Sequence, residues 1–206
     1  ATGLIEPGQM VHELLARLAR RLSAPRALVR ELDVEAAISK GQVVIRFQPQ
    51  YAMDGDQLYG AEALARWIHP RLGEIGGAAL FSAATAAGLQ REVSAHVWHP
   101  ALRAVAGWPA ALAHVRVALN LTAADLADSD FANRLLGMAR DSGVDPARLA
   151  VEVTESATIG RFDVANANLL ALRQAGMHVA LDDFGTGYSS LAWLKQLPVD
   201  YIKIDS

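Results

Sequence analysis

The chain has 206 residues, 52% hydrophobic and 20% charged, enough apolar material for a sizeable core and too little charge for a disordered chain. A net charge of -3 argues against a broad electrostatic footprint on DNA or RNA. The lack of cysteine excludes disulfides, thiolate zinc sites and cysteine nucleophiles, and no apolar run reaches the ~18 residues of a membrane span.

Residues 1–9, ATGLIEPGQ, are turn-rich and read as a boundary. Met10, Val11, Leu14, Leu15, Leu18 and Leu22 then recur at helical spacing, with Arg17, Arg20 and Arg21 among them. That pattern predicts an amphipathic helix with a basic solvated face. A second helix is expected over residues 25–39, stopped by Gly41. From there strands and helices alternate. Strands are expected at residues 43–47, within 58–67, and at 115–121, 149–153, 177–181 and 201–204. Helices are expected over 81–106 with a break at Gly88, and at 131–142, 164–175 and 189–197. Near-continuous apolar strands alternating with helices predict a parallel sheet whose outer face helices cover.

Five of these strands share a feature that hydropathy does not explain. Glu62 interrupts the second, Asn120 stands near the end of the third, and Glu152 lies within the fourth with Glu155 just after it. Asp182 and Asp183 end the fifth, and Lys203 sits in the sixth. A charged group in an apolar strand is costly unless it is paired. One such residue reads as a satisfied core group; five successive strands repeating the pattern do not. In a parallel barrel the C-terminal strand ends converge on one face, where active sites are built. Four or five carboxylates, an amide and an ammonium form a hard, oxygen-rich set that suits Mg²⁺ or Mn²⁺. The adjacent Asp182 and Asp183 repel each other unless cations compensate, and two divalent ions would do so.

Other motifs have plainer readings. Asp183-Phe184-Gly185 spells the kinase triplet, but neither a catalytic loop nor a glycine-rich loop of kinase type accompanies it. Gly185-Thr186-Gly187 lacks the rest of a dinucleotide fingerprint and reads as a turning loop. His69-Pro70 is expected to end a strand, His96 and His99 to be ordinary helix residues, and Trp67 to be packing.

The stretches FQPQ (47–50), GAEALARWIHP (60–70), ALNLT (118–122), VEVTE (151–155), LDDFGTGYSSLAWLKQLP (181–198) and YIKID (201–205) occur in this order. In them the chain resembles the EAL-domain family of bacterial cyclic di-GMP phosphodiesterases, over roughly residues 35–206. The resemblance implies a TIM-like (β/α) barrel of the α/β class, two divalent metals, Mg²⁺ or Mn²⁺, and hydrolysis of cyclic di-GMP to linear pGpG. It implies Glu62, Asn120, Glu152, Asp182 and Asp183 as metal ligands, Lys203 beside the catalytic water, and Gln48, Leu64 and Arg66 facing the dinucleotide. It also implies a cytoplasmic protein and a homodimer, and the N-terminal helix suggests an upstream sensory or cyclase domain. The family continues for roughly two more βα units beyond Ser206. The expectation is therefore a partial domain at 35–206 with about six of eight strands, preceded by a linker and helices at 1–34. Gly76-Gly77, Ala84-Thr85 and Asn120-Leu121-Thr122 depart from the commoner family residues. A module that binds cyclic di-GMP, or scaffolds a partner, without turnover is the alternative reading.

Overall fold

The structure, a computed structural model, describes residues 31–53, 57–154, 157, 160–184 and 195–204, without the side chains at 31–33, 183 and 184. The helix expected over 10–22, Glu155 and most of the helix expected over 189–197 lie outside the described residues.

Helix α1 (Glu31–Ser39) leads into strand β1 (Val43–Tyr51), which pairs with β2 (Leu58–His69). The pair is antiparallel, with Val43 opposite Trp67 and Gln48 opposite Glu62. This corrects the expectation of a parallel sheet at its first edge. Residues 52–57 are too few for the crossover that parallel neighbours need, whereas antiparallel neighbours need only a tight connection. A further short strand, β3 (Gly73–Gly76), folds back antiparallel on the end of β2. Its four residues carry too little periodicity to be visible in the sequence.

From β2 onward the sheet is parallel, as expected. It runs through β4 (Arg116–Asn120), β5 (Leu149–Thr154), β6 (His178–Phe184) and β7 (Tyr201–Ile204). The order is β1-β2-β4-β5-β6-β7, with β3 attached to β2. Between the strands lie α2 (Gly77–Ala87), α3 (Gln90–Ala106), α4 (Ala123–Leu126), α5 (Phe131–Asp141) and α6 (Phe162–Gln174). The expected break at Gly88 separates α2 from α3. Gly88 adopts a left-handed φ of 69°, which ends α2 and which a residue with a Cβ rarely takes.

Alternation along the strands sorts the two faces of the sheet. Val117, Leu119, Val151, Val153, Val179 and Leu181 join one hydrophobic core with the helices. Ala118, Ala150 and Ala180 lie between them, are equally buried, and face the concave side. Neighbouring parallel strands stand about 4.8 Å apart, so β2 and β7, four steps from each other, would be about 19 Å apart in a flat sheet. Yet Lys203 on β7 reaches Glu62 on β2 at 3.4 Å. The sheet therefore curls, and the architecture is an incomplete TIM-like barrel with helices outside and small residues inside. Among the described residues no helix is long and apolar enough to cross a membrane.

Two sequence readings of packing hold. Trp67 is fully buried, and its indole Nε1 donates to Gln42 Oε1 at 3.3 Å. His69 Nδ1 accepts from the backbone amides of Arg71 and Leu72, both at 3.2 Å, and so closes the turn that ends β2.

A buried amide ties the outer helices together. Asn168 on α6 donates to the carbonyls of Leu126 (3.0 Å) and Asp128 (2.8 Å) and accepts from Ala132 N (3.3 Å). Its loss would strand buried backbone groups, each costing about 1–3 kcal/mol. Asn168→Ala is expected to destabilise the fold by about 2–4 kcal/mol in chemical denaturation. Asn168→Asp, which keeps the shape but cannot donate, should be destabilised comparably; a wild-type midpoint for it would contradict the role of the two donated bonds.

Candidate active site

The polar interruptions seen in the sequence meet at one place on the concave face. The strand register explains how. In a parallel ladder paired residues share a face: Glu62 pairs with Ala118, Asn120 with Glu152, Glu152 with Ala180, and Thr154 with Asp182. Asn120 stands two residues beyond the level of Glu62, Glu152 stands level with Asn120, and Asp182 stands two residues beyond Glu152, so the set climbs across tilted strands. The alanines leave space for the long side chains to converge.

Lys203 is the hub. Its ammonium donates to Glu152 Oε2 at 2.7 Å and to Glu62 Oε2 at 3.4 Å, and lies 3.5 Å from Asp182 Oδ1. Asn120 Nδ2 donates to Glu62 Oε1 at 2.8 Å. Glu152 is 1% exposed. Burial pushes its carboxyl up to about 7; the Lys203 hydrogen bond opposes this, while the charges of Glu62 and Asp182 add to it. Burial alone would lower the Lys203 ammonium. The bond to Glu152 and the charges of Glu152, Glu62 and Asp182 outweigh it and hold the group above the ordinary lysine range. Tyr201, two residues earlier on β7, is pushed up to about 12 by burial and by the charge of Glu152.

Five of the expected ligand and catalytic residues, Glu62, Asn120, Glu152, Asp182 and Lys203, are thus brought together. Asp183 follows on the same strand, but its side chain lies outside the described residues. Among the described residues no three carboxylates or imidazoles stand close enough to hold a metal by themselves. Lys203 lies between the three carboxylates. The donor set nonetheless fits a hard cation: three carboxylates face one ammonium, and among the described residues Glu152 Oε1 is buried with no hydrogen-bond partner.

Beside this cluster opens a cleft of about 640 Å³. Glu62, Leu64 and Arg66, which share one strand face, line it together with Ala63 and Ala65 between them. Gln48 is exposed on β1 directly opposite Glu62 and shares that face. The opposite wall contains Gly76, Gly77, Phe81, Val97 and Trp98, which sequence reasoning did not assign to the site. In the sequence Trp98 reads as a core or rim aromatic, and the glycine pair stands out only as a departure from the commoner family residues.

The floor of the cleft is braced from below. Thr122, which lines it, caps α4: Thr122 Oγ1 accepts from Asp125 N at 3.2 Å, while Asp125 Oδ2 accepts from Thr122 N at 2.8 Å. Asp125 Oδ2 also accepts from Ser94 Oγ on α3 at 3.0 Å. Burial raises the Asp125 carboxyl despite these bonds. The bond ties the end of β4 to the helix carrying Val97 and Trp98. His96 and His99 join no metal cluster among the described residues.

A family model described as EAL domain matches residues 31–206. The chain is 36% identical over 159 residues to the cyclic di-GMP phosphodiesterase PA2567 of Pseudomonas aeruginosa, covering 77% of this chain and 27% of that protein. It is 35% identical over 175 residues to y4lL of Sinorhizobium fredii, covering 85% of this chain and 21% of that protein. The chain thus spans about a quarter of the length of these curated relatives. Among solved structures, the PaMucR phosphodiesterase in complex with c-di-GMP has a TM-score of 0.78 at 33% identity, over 84% of this chain and 70% of that one. The FimX EAL domain from Pseudomonas aeruginosa, bound to c-di-GMP, has a TM-score of 0.75 at 23% identity over 85% and 71%, a likeness of fold.

The raised Glu152 carboxyl has a consequence for stability. Because its folded value, about 7, exceeds the unfolded 4.5, the folded chain holds the proton more tightly. Its contribution is fully present below the unfolded value and fades as pH rises toward the folded one. Glu152→Gln should remove that slope. The melting temperature of the variant relative to wild type is expected to rise steadily between these two pH values; a constant difference would contradict the burial-driven shift.

Proposed function

The chain belongs to the EAL domain family, and we propose that it hydrolyses cyclic di-GMP to linear pGpG with the help of Mg²⁺ or Mn²⁺ in a two-metal site. The observation that carries this reading is the convergence of Glu62, Glu152 and Asp182 on one ammonium, with Asn120 bonded to Glu62, at the edge of a large cleft. Residues 35–206 would form the catalytic unit, and 1–34 a preceding segment.

Glu62, Asn120, Glu152 and Asp182, with Asp183, would hold the divalent ions. Bound there, such ions supply Lewis acidity and lower the pKa of a water that attacks phosphorus. The remaining work falls to the chain. Gln48 and Arg66 hold the dinucleotide by its polar groups, and Leu64 packs beside them. Phe81, Val97 and Trp98 give the cleft an apolar wall that excludes bulk water and suits a nucleobase. Lys203 would place its positive charge beside the attacking water and the phosphate. In the reaction one water oxygen–phosphorus bond forms and one phosphorus–oxygen ester bond breaks, with the water's proton ending on the leaving ribose hydroxyl.

Chromatography of cyclic di-GMP incubated with the protein and Mn²⁺ tests the reading. Formation of pGpG is expected, and Glu62→Gln or Asp183→Asn should slow it by at least about a hundredfold. Binding of the nucleotide without any pGpG would instead favour a sensing or scaffolding module.

A further inference from the structure

The rim of the cleft carries a charge arrangement that hydrolysis does not require. Across β1, β2 and β3, Leu64 pairs with Arg46, Arg66 with Gly76, and Ile68 with Glu74. Paired and alternate residues share a face, so Arg46, Arg66 and Glu74 all project to the concave side. Arg66 and Gly76 line the cleft, and Glu74 stands two residues before Gly76 on the same short strand.

Glu74 is divided between the two arginines. Its Oε1 is 3.6 Å from Arg66 Nε, and its Oε2 is 3.8 Å from Arg46 Nη2. Both separations are too long for good hydrogen bonds. Arg66 Nη1 donates instead to the Ala65 carbonyl at 2.9 Å. The guanidinium fork of Arg66 is therefore engaged on one side and only loosely neutralised on the other. Two oxygens of a phosphate match such a fork in a way that a distant carboxylate does not. Glu74 and a phosphate carry the same sign, so each weakens the other's hold on the pair of arginines. Arg46 and Glu74 are 65% and 49% exposed, which makes the existing pairs weak and displaceable.

We propose that Glu74 is a positioning residue that competes with the phosphate of the bound nucleotide for Arg66 and Arg46, and thereby sets ligand affinity at this rim. The inference rests on the reading of the cleft as a cyclic di-GMP site. Removing the Glu74 charge leaves two guanidinia for the phosphate where the wild-type chain presents a partly neutralised pair. Its effect falls on binding, because its ion pairs are to the rim arginines Arg46 and Arg66 and not to the carboxylate–lysine cluster.

The experiment is the binding of fluorescent cyclic di-GMP in metal-free buffer, where turnover is suppressed, together with steady-state hydrolysis in Mn²⁺. Glu74→Gln is expected to bind about two- to fivefold more tightly than wild type, the range set by exposed ion pairs. The same factor should lower KM rather than raise kcat. The gain should shrink at high salt, where exposed charges are screened, and should vanish when Arg46 and Arg66 are both replaced by alanine. Equal or weaker binding by Glu74→Gln, or a gain that survives loss of both arginines, would overturn the competition while leaving the site reading intact. Failure of the wild-type chain to bind cyclic di-GMP would overturn the site reading and this inference with it.

Discussion

One ammonium facing three carboxylates governs the inside of this fold. Lys203 sits within 3.5 Å of oxygens from Glu152, Glu62 and Asp182, which come from three different strands. When all three carboxylates are ionised, one positive charge leaves two negative charges uncompensated. Such a group is tolerable only if the sheet curls enough to bring β7 back toward β2. It also needs small interior neighbours that let long side chains meet. Ala118, Ala150 and Ala180 meet the second condition, and the short Lys203–Glu62 approach records the first. Glu152 Oε1, buried and without a hydrogen-bond partner among the described residues, marks where the compensation is incomplete. A divalent cation would complete it.

The hydrophobic core serves this arrangement from the other side of the sheet. Branched residues alternate with the interior alanines and polar groups and lock the strands against the helices. Burial of each such side chain contributes roughly 1.5–3 kcal/mol, which offsets the desolvation of the interior charges. The Thr122–Asp125–Ser94 network then joins the end of β4 to α3, so hydrogen bonds link Thr122 at the cleft to the helix that carries Val97 and Trp98. Core, brace and charge cluster are successive consequences of one alternating strand pattern.

Much of this was legible from residue order. Glu62, Asn120, Glu152, Asp182 and Lys203 each stand out because a polar group breaks an apolar strand, and a parallel barrel gathers strand ends on one face. The parallel strands and their outer helices follow from long periodic segments. What resisted reading depends on pairing at a distance. The antiparallel start follows from the short connection at 52–57, and β3 is too brief to show a period. Trp98 and the Gly76-Gly77 pair become cleft walls only once α2 and α3 are packed, because nothing in a helical apolar position or a turn says what it will face. The sharing of Glu74 between Arg46 and Arg66 likewise needs the register of three strands.

The central proposal is that Glu62, Glu152 and Asp182 would hold a divalent cation beside Lys203. The most direct measurement is a crystal structure of the protein grown with Mn²⁺, with anomalous scattering collected at the manganese edge. Anomalous peaks within coordination distance of Glu62, Glu152 and Asp182, with the Lys203 ammonium withdrawn from Glu152, are the expected result. An intact Lys203–Glu152 pair with no anomalous peak beside it, at a manganese concentration that supports hydrolysis, would contradict the claim.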